Sequence, residues 1–467
     1  MAGFRGGVAA DEPRAAMVAR DILANGGSAA DAVAAAALAY AVTYPNGAGL
    51  GSGGVCVASD AALKKAETIE FPAVAARAGG PVAMPALVRG LGLLQSKYGR
   101  LRWEAVVAPA EQLARFGDGA SRAFVQAAVE TQPPVTDSPG LRPVFGTRTG
   151  MVPQEGERRS QPALAATLAR LRLTGPSEFY QGQLARQVAA DIAAAGGKIT
   201  LEDLGAYAVA VTKPIEVPFE NSTTIYAANT PAGGAVAAWL LEQTYDGGSF
   251  LRSSNLFGGS NAVRSDTFAA SLGQAYRSDP ATLPMNSFGS SSIAAMDSRG
   301  GTVACAFSMG LAYGSRLVGR ETGILFAAPP GLGGDETPYL TAMIGTMPRI
   351  NQAVLAAAGS GGAPAAAATA YSVLQAALGK VKQDPTLPAL AQPRLFQANP
   401  QAPLLVEPGA DPAIYKEMQQ RGVTVNEIGR LGRVNLAYCA EGAPRDLTTC
   451  SFATDRRGYG LAFGRHY

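Results

Sequence analysis

Residues 28–43 read Ser-Ala-Ala-Asp-Ala-Val-Ala-Ala-Ala-Ala-Leu-Ala-Tyr-Ala-Val-Thr, and no other run constrains the fold as much. Ser28 and Asp31 have capping-box spacing, so a helix is predicted to open after Ser28. That helix is apolar on every side. It has no face to offer water and must be buried between layers. Ala32–Val42 is too short to cross a bilayer before Pro45 and a glycine cluster interrupt it, so the layers are protein. Upstream, Asp11-Glu12-Pro13 opens another helical pattern with Ala15, Val18, Ala19 and Ile22 on one face, ended by Gly26-Gly27.

The rest of the chain supplies both kinds of layer. Gly47–Gly54 is a glycine loop that enters a strand at Val55-Cys56-Val57. It lacks the Gly-Lys-Ser/Thr ending of a phosphate loop and does not open a helix. Residues 162–210 read as mostly helical, with stripes at Leu164, Leu168, Leu171 and at Leu184, Val188, Ile192. Residues 214–228 are strand-like, 229–234 a turn and 235–243 a helix, whereas 244–289 reads as a surface segment or linker. Ile293–Met296 is a short apolar run, and Ser298-Arg299-Gly300-Gly301 turns the chain. In Thr302–Ser308, Val303, Cys305 and Phe307 share one face while Ala304, Ala306 and Ser308 share the other. Antiparallel pairing of these runs would put Ser308 close to Ser290. A helix near 363–378 and strands near 423–438, 449–454 and 459–464 complete a layered α/β architecture.

A chain of 467 residues can bury a large core and could form one to three domains. A net charge of +3, with no long basic run, argues against a nucleic-acid partner. Residues 1–7 lack the apolar core of a signal peptide, so the protein is expected either in the cytoplasm or with a targeting segment absent from this chain. Cys56 and Cys305 lie in apolar runs and read as plain core residues. Cys439 and Cys450 flank a predicted hairpin that could bring them within disulfide reach, which would favour an oxidising compartment. No Cys/His cluster has metal-ligand spacing, and no cofactor is expected.

The chemistry begins with a scarcity. The chain has a single histidine, His466, so a Ser-His-Asp hydrolase has almost nowhere to find its base. A serine can still act if its own α-amine takes the proton, which requires a cut just before it. Gly289-Ser290-Ser291-Ser292 offers such a junction, although Gly-Ser runs are also ordinary loops.

Several ordered motifs resemble the gamma-glutamyltranspeptidase family. They are Asn25-Gly26-Gly27-Ser28-Ala29-Ala30-Asp31-Ala32 with Pro45 and the glycines through Gly54; Gly175-Pro176 with Phe179-Tyr180-Gln181-Gly182; and Gly196–Leu204. Pro231-Ala232-Gly233-Gly234, Gly432-Arg433-Val434-Asn435 and Asp455-Arg456-Arg457-Gly458 follow in the same order. The resemblance implies the four-layer αββα sandwich of N-terminal-nucleophile hydrolases in one domain, 1–467. It implies a precursor that cuts itself after Gly289 into fragments 1–289 and 290–467, which remain together as a heterodimer. Ser290 stands where the family has its threonine nucleophile, and Ser308 where a threonine hydroxyl supports it. Gly361 and Gly362 resemble the Gly-Gly whose N–H groups hold the oxyanion. The substrate implied is a small-molecule amide, and the family together with the possible disulfide points to the periplasm or to export.

The sequence also departs from the family. Pro72 occupies the place of the arginine that clasps the substrate carboxylate. Gly323-Ile324-Leu325 leads into Phe326-Ala327-Ala328 instead of an acidic pair, with Asp335 and Glu336 off register. Thr341-Ala342 replaces paired serines, leaving Thr341 as a candidate substrate contact, and Gly310 replaces an asparagine. Two readings follow: a self-processing amidohydrolase or acyltransferase with an altered pocket, or a non-catalytic homologue that keeps the fold as a scaffold or binding module.

Overall fold

The structure, a computed structural model, describes residues 5–60, 66–219, 222–246, 249–250, 289–331, 339–378, 383–397 and 402–464. His466, Asp335, Glu336 and nearly all of the expected linker at 244–289 lie outside the described residues.

Two antiparallel sheets form the centre. The first runs, edge to edge, β15 (Leu461–Phe463), β1 (Gly6–Ala10), β9 (Ser290–Asp297), β10 (Thr302–Ser308), β2 (Gly53–Ser59), β3 (Ala66–Phe71) and β6 (Ala210–Thr212). The second runs β14 (Cys450–Thr454), β13 (Arg433–Ala443), β12 (Gln352–Ser360), β11 (Thr341–Met347), β8 (Thr224–Ala227) and β7 (Ile215–Pro218). A two-stranded ribbon, β4 (Asp118–Gly119) with β5 (Arg158–Arg159), lies apart from both. The strand expected near 423–438 divides in two: Val425–Glu427 joins a separate small sheet, and β13 starts at Arg433.

Strand alternation assigns the faces. Ile293, Ala295, Val303, Cys305 and Phe307 pack under helices α1 (Pro13–Ala24) and α2 (Ala29–Thr43) on one side of the first sheet, as the period-two pattern requires. Ala294, Met296, Ala304 and Ala306 face Ala342, Ile344, Ala356, Ala358 and Ala437 of the second sheet. Alanine dominates this inner layer, so the sheets meet through short side chains. The far face of the second sheet is covered by α3 (Gly234–Thr244) and α4 (Ala365–Leu378). The order is therefore αββα.

Helix α2 is the buried helix that its composition demanded. All its residues are buried, and the Ser28 side chain accepts from the Asp31 N–H in a complete capping box. Helix α1 is capped by Glu12, whose carboxylate accepts from the Ala15 N–H at 2.8 Å.

One expectation is corrected. Cys56 and Cys305 are not plain core thiols; they form a disulfide. β2 and β10 pair with Cys56 directly opposite Cys305, at a Cα–Cα distance of 4.1 Å. The two residues are 249 positions apart, and an apolar strand does not advertise its cross-strand partner. Cys439 and Cys450, opposed across β13 and β14, are joined as well. Among the described residues no helix is long and apolar enough to cross a membrane.

Candidate active site

Ser290 opens β9, directly opposite Ser308, the last residue of β10. Alternation turns Ser290 toward the second sheet, together with Ser292 and Ala294. Its Oγ accepts a hydrogen bond from the Gly361 N–H at 2.9 Å. Gly361 and Gly362 follow the end of β12 with φ of 97° and 88°. Two consecutive left-handed residues are tolerable only as glycines, and this turn aims the backbone N–H at the serine. The Ser308 hydroxyl accepts from the Gly310 N–H at 2.9 Å, leaving its own proton to donate. Thus Ser290, Ser308 and Gly361 come together from three elements distant in sequence. Gly362 is the next residue of the same turn.

The preceding peptide is also held. The Gly289 carbonyl accepts from the Met309 N–H at 2.7 Å. The Ser290 carbonyl accepts from Arg433 Nη2 at 3.0 Å. Hydrogen bonds therefore grip the backbone on both sides of the Gly289–Ser290 junction.

Beneath the serine lies a buried polar network that sequence reasoning missed. Asp11 follows β1 and is fully enclosed. Its carboxylate accepts from the Ser292 N–H at 3.1 Å, the Ser360 hydroxyl at 2.7 Å and Asn435 Nδ2 at 2.7 Å, with Arg433 Nε 3.8 Å away. The Tyr40 hydroxyl of α2 accepts from the Asp11 N–H at 2.8 Å and donates to the Ser292 carbonyl at 2.9 Å. Burial raises the Asp11 pKa above its ordinary value, and the Arg433 charge and the hydrogen bonds offset part of that rise. Arg433 is itself oriented from behind, because Asp455 accepts from the neighbouring Val434 N–H at 3.1 Å and pairs with Arg394 and Arg457. Gly432–Asn435 and Asp455–Gly458 were legible as motifs, but their convergence on Asp11 was not. In the sequence Asp11 reads with Glu12 and Pro13 only as the lead-in to a helix, and nothing in that pattern ties it to the serine.

The residues that depart from the family have structural correlates. Pro72 is exposed and carries no charge, and its carbonyl accepts from the Tyr207 hydroxyl at 2.9 Å. Gly310 has φ of 77°, and a Cβ there would meet the Ala328 carbonyl oxygen at 2.6 Å, so an asparagine would not fit this backbone. Thr341, at the start of β11, is fully buried, and its Oγ1 has no hydrogen-bond partner. The structure does not bring Thr341 into hydrogen-bond contact with Ser290. It lies opposite Gly359 of β12 instead.

A family model for gamma-glutamyltranspeptidase matches residues 15–254, a span that ends before Ser290. Glutathione hydrolase 3 of Arabidopsis thaliana is 31% identical over 262 residues, which cover 53% of this chain and 41% of that protein. The chain thus spans under half the length of the curated relatives it matches. A cephalosporin acylase from Bacillus halodurans shares the fold over 100% of this chain and 96% of its own, with a TM-score of 0.75 at 20% identity. The gamma-glutamyltranspeptidase of Helicobacter pylori superimposes over 59% of this chain and 82% of its own, with a TM-score of 0.50 at 25% identity.

Proposed function

The chain belongs to the gamma-glutamyltranspeptidase family, and we propose that it is a self-processing amidohydrolase or acyltransferase whose nucleophile is Ser290. The observation that carries this reading is the Gly361 N–H held 2.9 Å from the Ser290 hydroxyl. A backbone N–H this close to the nucleophile lies beside the place where the oxyanion of an acyl adduct would form, and a donor there is what acyl transfer most needs.

Self-cleavage begins with attack of Ser290 Oγ on the Gly289 carbonyl carbon. The hydroxyl proton passes to the departing nitrogen as the C–N bond breaks, so that an ester forms and the α-amine of Ser290 is released. Water then hydrolyses the ester to leave a Gly289 carboxylate and a free serine. The Met309 N–H, already on the Gly289 carbonyl oxygen, is suited to stabilise the oxyanion of that first step. With an amide substrate, Ser290 Oγ attacks the carbonyl and its proton passes to the α-amine. Gly361 and Gly362 hold the oxyanion, and the amine product leaves with the proton. Water resolves the acyl-enzyme; an amine acceptor would complete a transfer instead. Ser308 lies opposite Ser290 and would donate its hydroxyl proton to the nucleophile, and Arg433 positions the serine through its carbonyl. The fragments would be 1–289 and 290–467. The two disulfides suit an oxidising compartment, which favours an exported location.

The competing reading is a non-catalytic scaffold, favoured by the exposed Pro72 where a carboxylate clasp is expected. Mass spectrometry of the reduced protein separates the two. Fragments ending at Gly289 and starting at Ser290, absent in Ser290→Ala, support the enzyme. An uncut chain after prolonged incubation sinks it. γ-Glutamyl anilides should be poor substrates, since proline replaces no guanidinium, and rapid turnover of them would refute the altered pocket.

A further inference from the structure

Ser290 stands at the head of a row that crosses four strands. It pairs with Ser308, and Ser308 pairs with Gly53. Gly54 pairs with Phe71, so the register of β2 against β3 sets Pro72 beside Gly53. A Cβ on Gly53 would meet the Pro72 carbonyl carbon at 2.7 Å, so the two backbones touch and only glycine fits between them. Neighbouring strands lie about 4.8 Å apart, which puts Pro72 roughly 14 Å from Ser290. Residues directly opposite one another share a face, so the row points as Ser290 does.

The flanks of this row are apolar and open. Pro72 is exposed, and Val74, two residues on, is 41% exposed. At the other end Leu311 is 40% exposed, and a Cβ on Gly289 would meet its carbonyl oxygen at 2.6 Å. Ala73 and Ala312, the neighbours of Val74 and Leu311, pack on one apolar cluster whose core includes Met309 and Ala327. Met309 directly follows Ser308. Scattered exposed hydrophobics need no explanation, but these two border one apolar surface that begins at the nucleophile.

No charge interrupts that surface. Residues 47–59, 71–76, 289–296, 302–315 and 324–331 contain no Asp, Glu, Lys or Arg. The charges that border it are engaged. Arg433 donates to the Ser290 carbonyl at 3.0 Å and lies 3.8 Å from Asp11. Glu70, one pleat below Pro72 on β3, accepts from the Thr212 hydroxyl at 2.5 Å. An ionised group laid along this row would lose water and find no partner, whereas methylenes gain by leaving water.

We propose that the favoured acyl donors are amides of uncharged aliphatic acids, whose hydrocarbon tail runs from Ser290 across Ser308 and Gly53 toward Pro72, with Leu311 and Val74 as its flanking contacts. The substrate class rests on Ser290 being the nucleophile; the apolar surface does not.

The test is kcat/KM of the full chain toward the nitroanilides of acetic, butyric, hexanoic and octanoic acids, and toward hexanoyl chains ending in a carboxylate or an ammonium. The value should rise roughly two- to fourfold per methylene, and either charged end should lower it by about tenfold or more. Leu311→Ser and Val74→Ser change exposed side chains, and each should lower the octanoyl-to-acetyl ratio by about threefold or more. A misfolded protein would lose both substrates together and leave that ratio alone. In a protein cut at Gly289, a flat series or faster turnover of a charged chain overturns the acyl class and leaves the nucleophile standing. A ratio unchanged in both variants overturns the path of the tail. If the chain neither cuts nor turns over, the nucleophile reading falls, and calorimetric titration with butanamide, hexanamide and octanamide decides the surface alone. Affinity that rises with length and weakens in Leu311→Ser keeps it; affinity that does not rise overturns it.

Discussion

Ser290 would have to serve as its own base, and that sets a pH signature. A free α-amine ordinarily titrates near 7.7–8.0, and only its neutral form takes a proton. The Arg433 guanidinium, bonded to the carbonyl of the same residue, disfavours the ammonium. Turnover should therefore rise with pH and reach half its plateau at or below about 8; a profile flat from acid to neutral pH would argue against the amine. Asp11 is the residue the local fold can least spare. Replacing it with alanine removes the buried counter-charge of Arg433 and an acceptor shared by Asn435, Ser360 and the Ser292 N–H, and should cost about 3–5 kcal/mol in urea unfolding. Glu12 predicts a pH effect on stability of definite sign. Burial raises its pKa from the ordinary 4.5, so the folded state holds the proton more tightly than the unfolded one. The contribution of Glu12 to stability is then fully present below 4.5 and is lost as pH climbs through the raised value. Glu12→Gln should flatten that fall, as measured by denaturant unfolding at acid and neutral pH.

At the scale of elements, period and spacing carried most of the information. The isotropic apolar run of α2 required burial, and its capping box appears at the expected residues. The alternation in Thr302–Ser308 sorted its faces correctly, and the hairpin does set Ser290 opposite Ser308. What stayed hidden were contacts with no local period. The Asp11 network draws on β1, α2, β9, β12 and β13, and each member looks ordinary within its own element. Cys56 and Cys305 look like any small apolar residue in a buried strand, because the information that opposes them resides in the register of β2 against β10. The turn after β12 makes its own prediction. Gly361→Ala would force a side chain to φ of 97° and move the N–H off Ser290. It should reduce acyl transfer by roughly 10²–10³, with little change in the far-ultraviolet dichroism.

On the scale of the whole molecule, each central sheet draws strands from both sides of residue 290. β9 lies between β1 and β10, β10 pairs with β2, and β11 pairs with β8. A cut after Gly289 would leave two chains whose strands interleave throughout. The disulfide between Cys56 and Cys305 sits on that seam, with one cysteine on each side of the junction. Replacing both by serine in the uncut Ser290→Ala background should cost about 2–4 kcal/mol. In a processed protein the same bond governs molecularity. The two chains would unfold and refold as one body, with a melting temperature indifferent to dilution. Once reduced, they would obey mass action, and melting would shift upward with concentration. Electrophoresis without reductant would show a single band for nicked and intact protein alike.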